Sequence, residues 1–593
     1  MTDDVALPPP PPGPPWSGGM LDDDAFDELK AETAEARENP PGDQVGVGPE
    51  LDAQMARGAY LAALRDFNRA LADWPRNDLG NARRLDARFG WALLHVRDLG
   101  WHAWTGTHWE RAGGEEVALQ CAWRVSAGIG AEARELEREL EALSAPPSTP
   151  PPIPLPPNLE VMGEGVSAAV DPKVLAERID KHRKFAVICG NAIRVRAMLE
   201  ALAPHRSIDP RLLDSAPHRL ALRDGTLHLN GVAGTDGAPG LPLLLRDDWR
   251  PEHLITRRVE GHWWGAPDAP LGAALEDGRW RAFLTRVLPD PAVRAFVQRW
   301  FGYCLTGLIS EQALAVFIGQ GANGKSTLLM VIARLLGGYA TSLPIETLVG
   351  AGARSGGDVT PDLVRLPGAR LVVVAEPEPG AKLNEAFVKR ATGGGDMAAR
   401  TFHKEFFDFT PRFKVVLDTN NRPRIAGADE GIWRRLLIVP FPVQIPVGER
   451  RKQDELVAEL LGEAPGILRW LADGYVAWRE RGLDPPAAVL TETAEYRQTE
   501  DPLRGFMDEC VVLGEGLRAR GRDLYDSYCG FCREAAVEPR SGTIFGKRLG
   551  ERGFKALQSH GVWRVNLELG PEGTKYMAAE RERQAGIKGG MFR

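Results

Sequence analysis

Thirteen residues at 317–329, "FIGQGANGKSTLL", restrict this chain more than any other stretch. The apolar run "ALAVFIG" leading into them reads as a strand, and "STLLMVIARLL" reads as a helix, so the glycines must build a strand-to-helix turn. The turn fits G-x-x-x-x-G-K-[ST]. Gly319, Gly324, Lys325 and Ser326 hold the fixed places, and Gln320, Gly321, Ala322, Asn323 and Thr327 complete the loop. Such a loop aims backbone N–H groups and a helix N-terminus at phosphates, its lysine reaches the outer phosphates, and its serine hydroxyl takes Mg²⁺. A glycine-rich turn that merely contains Lys-Ser is the bland alternative, and the strand and helix on either side weigh against it. ATP with Mg²⁺ is the expected ligand pair.

A net charge of −8 argues against a nucleic-acid partner only until the charges are located. Residues 1–50 hold twelve acidic and two basic residues. Removing these from the 73 basic and 81 acidic residues leaves 71 against 69, so the body of the chain carries about +2. A local basic track is therefore compatible with the composition. No apolar run has the length of a membrane span, and the N-terminus is acidic and proline-rich, so a cytoplasmic protein with no membrane partner is expected. The six cysteines form no disulfide framework. Cys529 and Cys532 in "YCGFC" lack a second ligand pair for zinc and fall on an amphipathic helical pattern, which favours core packing.

Composition and pattern divide the chain as follows. Residues 1–50 read as a disordered acidic, proline-rich tail; 51–144 as an N-terminal α+β domain; 145–160 as a proline-rich linker; and 161–289 as a helical/β domain. Residues 290–480 form an α/β ATPase domain, 481–500 a linker, 501–570 a winged-helix-like domain, and 571–593 a flexible tail. Within the first domain, 81–96 has a helical pattern and 100–110, "GWHAWTGTHWE", reads as a hairpin. A second hairpin, "HRLALRDGTLHLNG", lies at 218–231.

Downstream of the loop, the strand "RLVVVAE" at 370–376 ends in acid, and Glu378 follows Glu376 after one proline. A carboxylate at a strand end beside a phosphate loop can hold Mg²⁺-bound water or act as base for the attacking water. The strand "RFKVVLDTN" at 412–420 ends in Asn420, an amide suited to orienting that water. Arg434 and Arg435 then precede "LLIVPF"; one could serve as an arginine finger and the other as a surface charge.

Taken in order, the loop, "AEPEPGAKLNEAFVKRATGGGDMAAR", "FKVVLDTNNRPRI" and "IWRRLLIVPF" resemble the superfamily 3 helicases. More narrowly, they resemble the phage/plasmid primase–helicase family, related to the poxvirus primase–helicase. The resemblance implies an AAA+-like P-loop core in a hexameric ring, with ATP between subunits. Glu376 or Glu378 would be the catalytic acid, with Ser326 and Glu376 toward the metal, Asn420 the sensor, and Arg434 or Arg435 the finger acting across the interface. Lys389, Gly393–Asp396 and Arg400 match the motif that precedes a DNA-contacting hairpin, with His403 and Lys404 at its tip.

The residues make their own case for DNA. "ARTFHKEFFDFTPRFK" interleaves basic and aromatic side chains as a hairpin tracking a backbone would, although a solvated charged hairpin has the same pattern. Residues 540–564 hold six basic residues against one acidic, and Lys547, Arg548 and Arg552 lie on the pattern of a recognition helix followed by a wing, an arrangement that serves to bind protein as well as DNA. The expected partners are single-stranded and forked DNA, further copies of the chain, and a separate primase. Upstream of residue 290 there is neither a zinc-ribbon cysteine set nor an acidic catalytic cluster, so priming by this chain itself is not expected. Two other readings fit the same motifs: a duplex-DNA translocase or packaging motor, and an ATP-switched origin-binding or loader module.

Overall fold

The computed structural model describes residues 49–144, 171–231, 240–263, 278–349, 360–376, 380–400, 406–425, 430–500, 502–535 and 539–590. The acidic tail as far as residue 48, the whole proline-rich linker, Glu378, His403 and Lys404 lie outside these residues.

The helix Asp78–Phe89 begins at Asn77, whose side chain accepts from the Gly80 N–H, and gives way to β1 (Leu93–Val96). The helical expectation for 81–96 is thus corrected at its end. "LLHV" is too short to fix its own period, and it pairs antiparallel with β2 (Gly100–Trp104). β2 and β3 (Trp109–Glu110) form the expected hairpin, and β4 (Ser207–Ile208) extends the sheet to the order β3-β2-β1-β4.

The helices Gly114–Ser144, Pro172–Cys189 and Ala192–Arg206 complete this region. The fully buried Glu132 accepts from Arg84, Arg88 and His182, each at 2.9 Å. Burial opposes its ionisation, but the His182 hydrogen bond and the two guanidiniums outweigh burial and hold the carboxyl below its ordinary range. Removing one partner from so deeply buried a group costs about 3–5 kcal/mol.

β5 (Arg219–Leu222) and β6 (Gly225–His228) form the second expected hairpin, to which β7 (Leu243–Arg246) adds a strand. Next come β8 (Leu314–Ile318), β9 (Ala340–Leu343), β10 (Leu371–Val374), the antiparallel hairpin β11 (Met397–Arg400) and β12 (Phe406–Phe409), then β13 (Lys414–Thr419) and β14 (Leu436–Pro440). Apart from the hairpin, these strands make one parallel sheet in the order β14-β8-β13-β10-β9.

The side chains of that sheet alternate between two cores. Ala315, Phe317, Val416 and Val439 pack with Trp300, Leu328 and Tyr475 on one face. Val316, Val372, Leu417 and Ile438 pack with Phe387 and Phe407 on the other. A parallel sheet covered on both sides requires such continuous apolar runs. The helices Pro291–Cys304 and Ala464–Arg481 cross at glycines, and a Cβ on Gly302 would lie 2.1 Å from the Gly474 carbonyl carbon.

Two further expectations are corrected. The stretch 481–500 is no free linker, because the helix Ala487–Thr499 lies along edge strand β14. There Thr493 Oγ1 accepts from the Ile438 N–H at 3.0 Å, capping an edge that would otherwise be unpaired. Residues 571–590 form a helix, Pro571–Gly590, rather than a flexible tail. Its sequence lacks a strong apolar stripe, and polar contacts hold it instead: Ser527 Oγ donates to the Gly573 carbonyl at 2.6 Å and Arg581 pairs with Asp526 at 3.0 Å.

That helix closes the C-terminal unit. The order there is helix Pro502–Cys510, β15 (Val511–Arg520), helices Gly521–Glu534 and Gly542–Glu551, β16 (Ala556–Gln558) and β17 (Val562–Leu569). The three strands form an antiparallel sheet, β15-β17-β16. Cys529 and Cys532 are buried on the inward face of helix Gly521–Glu534, and both are free thiols.

Candidate functional site

The glycine-rich loop runs from the end of β8 to the helix Lys325–Leu336. Two of its residues take left-handed backbone, Ala322 (φ 55°) and Gly324 (φ 83°), which turns the loop sharply into the helix N-terminus. Gly319 must be glycine, since a Cβ there would lie 2.4 Å from the Phe441 carbonyl oxygen. Gln320, Gly321 and Ala322 form an exposed crest. Thr327 is buried beneath the loop, as is Asn323, whose Nδ2 has no hydrogen-bond partner among the described residues. An orphaned buried donor inside a phosphate-type loop fits an anionic ligand.

Parallel register brings the other groups to the same end of the sheet. Thr419 aligns with Ile318, and Leu417 with Val374. Asn420 therefore stands beside Gly319, and Glu376, two residues past β10, stands beside Asn420. The Lys325 ammonium donates to the Gly319 carbonyl at 2.8 Å and to Asn420 Oδ1 at 2.9 Å. Asn420 donates to Glu376 through its backbone N–H (3.1 Å) and its side-chain amide (2.9 Å), and the Asn421 amide donates to the same carboxylate at 3.2 Å.

One member of the site escaped the sequence reading. The Ser326 hydroxyl donates to Asp418 Oδ2 at 2.6 Å, and Asp418 Oδ1 stands 3.9 Å from the Lys325 ammonium. Burial raises the Asp418 carboxyl, and the neighbouring Glu376 charge adds to this. Burial also lowers the Lys325 ammonium from its ordinary value. Asp418 sits in "KVVLDT", an otherwise apolar strand, and an acid interrupting such a run two residues before a polar strand end was the available signal.

The two arginines differ sharply. Arg435 is buried, with Nε donating to Thr392 Oγ1 and NH2 to Gln312 Oε1, each at 3.1 Å, and NH1 to the Gly431 carbonyl. Arg434 is exposed. Leu436 aligns with Leu314 at the start of the parallel pair, whereas the glycine loop follows its other end. The five residue steps from Leu314 to Gly319 span roughly 17 Å, so Arg434 is out of reach of its own chain's loop.

Arg400 ends β11 and lies opposite Phe406, with its guanidinium 5.1 Å from the centre of that ring. Met397, Ala399, Phe407 and Phe409 bury the hairpin's other face. On helix Gly542–Glu551, Lys547 is exposed and 3.9 Å from Glu551, and Arg548 is half-buried. Arg552 is the exposed C-cap of that helix. No described helix is long and apolar enough to cross a membrane.

Residues 82–289 match the protein-family model described as D5 N terminal like. The chain is 30% identical over 261 residues to "Putative helicase L207/L206" of Acanthamoeba polyphaga mimivirus, covering 42% of this chain and 27% of that protein. It is 27% identical over 268 residues to "Putative helicase 022R" of Frog virus 3, again 42% and 27%. A "Putative primase" of African swine fever virus is 25% identical over 320 residues, 51% of this chain and 31% of that one. The matched part thus spans about a quarter to a third of these relatives. Among solved structures, the apo NrS-1 C terminal region overlaps with a TM-score of 0.30 at 10% identity, covering 49% of this chain and 75% of that one. The chain is a mixed α/β protein similar to viral proteins named as helicases and primases.

Proposed function

We propose that this chain is an ATP-driven DNA helicase of superfamily 3, built on an AAA+-like P-loop core and working as a ring, with six subunits as the expected number. Its task would be replication of phage, plasmid or prophage DNA, alongside a separate primase. The observation that carries this reading is the meeting of Lys325, Ser326, Asp418, Glu376 and Asn420 at one end of a parallel sheet, beside a helix N-terminus. The order β14-β8-β13-β10-β9, with the loop on an interior strand beside β13, supports it.

ATP is the substrate. The loop N–H groups and Asn323 Nδ2 would bind its phosphates, and Lys325 would stabilise charge on the transferring phosphoryl group. Ser326 and Asp418 offer a hard oxygen pair suited to Mg²⁺, which when bound neutralises phosphate charge. Asn420 orients the attacking water and Glu376 takes its proton as the new P–O bond forms and ADP leaves. Arg434, remote from its own loop, would act on the neighbouring subunit's substrate. The β11–β12 hairpin would grip the strand with Arg400, His403 and Lys404. The C-terminal unit, which we read as a winged helix because a helix, a strand, two helices and two strands follow in that order, would load the DNA.

The test is turnover of ATP by the purified chain, with and without single-stranded DNA, together with unwinding of a forked duplex. Lys325→Ala is expected to lower turnover by about 10²–10³-fold, the scale of removing one preorganised electrostatic contact. Undiminished turnover would place the active site elsewhere. Stimulation by duplex ends without unwinding would favour a translocase, and binding without turnover a loader.

A further inference from the structure

The basic helix Gly542–Glu551 is not where the C-terminal unit holds its least compensated cations. Arg518 and Arg520 on β15 flank Ala519, which is buried and paired with Arg564. Arg564 points into the helix layer, donating to the Phe554 carbonyl at 2.8 Å and to the Gly546 carbonyl. Because strand side chains alternate, Arg518 and Arg520 face the other way, on the open side of the sheet. Arg520 pairs with Trp563, and Trp563 with Leu557, so these three form one row across all three strands.

The guanidinium carbons of Arg518 and Arg520 lie 5.5 Å and 5.2 Å from the Trp563 ring centre. Among the described residues neither guanidinium meets a carboxylate, whereas Lys547 lies 3.9 Å from Glu551. An arginine held against an indole loses side-chain freedom but keeps its planar N–H edge for bidentate phosphate binding. Two strand residues set their Cα atoms about 7 Å apart, and both guanidiniums gather over the one indole. Leu557, 53% exposed at the end of the row, offers apolar surface to an unstacked base.

We propose that this open sheet face is a nucleic-acid contact separate from helix Gly542–Glu551, on which Trp563 positions Arg518 and Arg520 to clamp the backbone of a single strand. It rests on the reading of the chain as DNA-binding for the identity of its partner, and on the sheet geometry for its location.

The experiment measures binding of fluorescein-labelled oligo-dT to the full chain by anisotropy across a salt series. Each phosphate contact on a single strand contributes roughly 0.7 to the slope of log affinity against log salt. Arg518→Gln with Arg520→Gln should therefore flatten the slope by about 1.4 and weaken binding about tenfold near 0.15 M salt. Photo-cross-linking of bromouridine-substituted oligonucleotide to the unmodified chain should mark the peptide containing Trp563, which tests the face without any substitution. Unchanged affinity and slope, or a cross-link map lacking that peptide, would overturn the proposal and leave the face to a protein partner. If Lys325→Ala keeps full turnover while the glutamine pair still flattens the slope, only the motor reading fails. The reverse pattern removes only this contact.

Discussion

The Asp418 carboxylate accepts a 2.6 Å hydrogen bond from the Ser326 hydroxyl, tying the middle of the sheet to the first turn of the helix that follows the glycine-rich loop. Beyond β10, Ala375 precedes Glu376, so that strand end supplies one described acid. Asp418 supplies a second, from the neighbouring strand. Asp418→Asn keeps the shape but loses the charge that would orient Ser326 and the Mg²⁺ shell. The Mg²⁺ concentration for half-maximal hydrolysis should rise by about 10–100-fold, the scale of losing a supporting partner at a metal site. Magnesium-dependent binding of a fluorescent ATP analogue should weaken in parallel. An unchanged magnesium titration would reduce Asp418 to a helix anchor.

The arginine pair divides by burial. Arg435→Ala removes hydrogen bonds to Thr392 and Gln312, leaves buried groups unpaired, and should cost about 1–3 kcal/mol of stability per orphaned group. Arg434→Ala should leave the melting midpoint unchanged while hydrolysis falls. Mixing Arg434→Ala with Lys325→Ala protein should then restore part of the activity, because some interfaces pair an intact loop with an intact arginine. Mixed rings that form yet show no recovery at any ratio would rule out a shared site.

If the β11–β12 hairpin grips DNA as proposed, replacing His403 and Lys404 with alanine should remove one or two phosphate contacts. The salt slope for single-stranded DNA should flatten by about 0.7–1.4. Stimulation of hydrolysis by DNA should fall with it. A variant that unwinds forked DNA at the normal rate would detach this hairpin from translocation.

Much of this was readable before any coordinates. The loop, the three strands bearing Glu376, Asn420 and "LLIVPF", and both short hairpins follow from glycine placement and apolar runs bounded by turn residues. What local pattern could not give was long-range pairing. "LLHV" became a strand because β2 lay beside it, and Ala487–Thr499 ceased to be a linker because edge strand β14 needed a cap. Asp418 was hidden for the same reason: its role depends on Ser326, 92 residues away in sequence. Arg434 and Arg435 are indistinguishable as letters, and packing against Thr392 separates them.

The same strand that carries Asp418 begins with a buried cation, and this gives a pH test of how the site is held. The Lys414 ammonium donates to the carbonyls of Thr306 and Leu308, the latter at 3.3 Å, and lies 4.7 Å from the centre of the Tyr303 ring. Those carbonyls belong to the turn between helix Pro291–Cys304 and β8, so one side chain pins the starts of β8 and β13 together. Burial pushes the Lys414 pKa down to about 7 from an ordinary value of 10.5. Below pH 7 the amine is charged in folded and unfolded chains alike, and the full cost of burying the charge is present. Between 7 and 10.5 the unfolded chain binds the extra proton, so stability should rise with pH across that window. Lys414→Met should abolish this rise and, by taking the donor from the carbonyls of Thr306, Leu308 and Arg412, cost about 1–3 kcal/mol for each group left unpaired. Urea unfolding of both proteins from pH 6.5 to 9.5 makes the comparison. If the two stability curves run parallel, Lys414 is not the titrating group. If they diverge as pH rises, because only the unsubstituted chain gains stability, the lysine that aligns β8 with β13 is the titrating group.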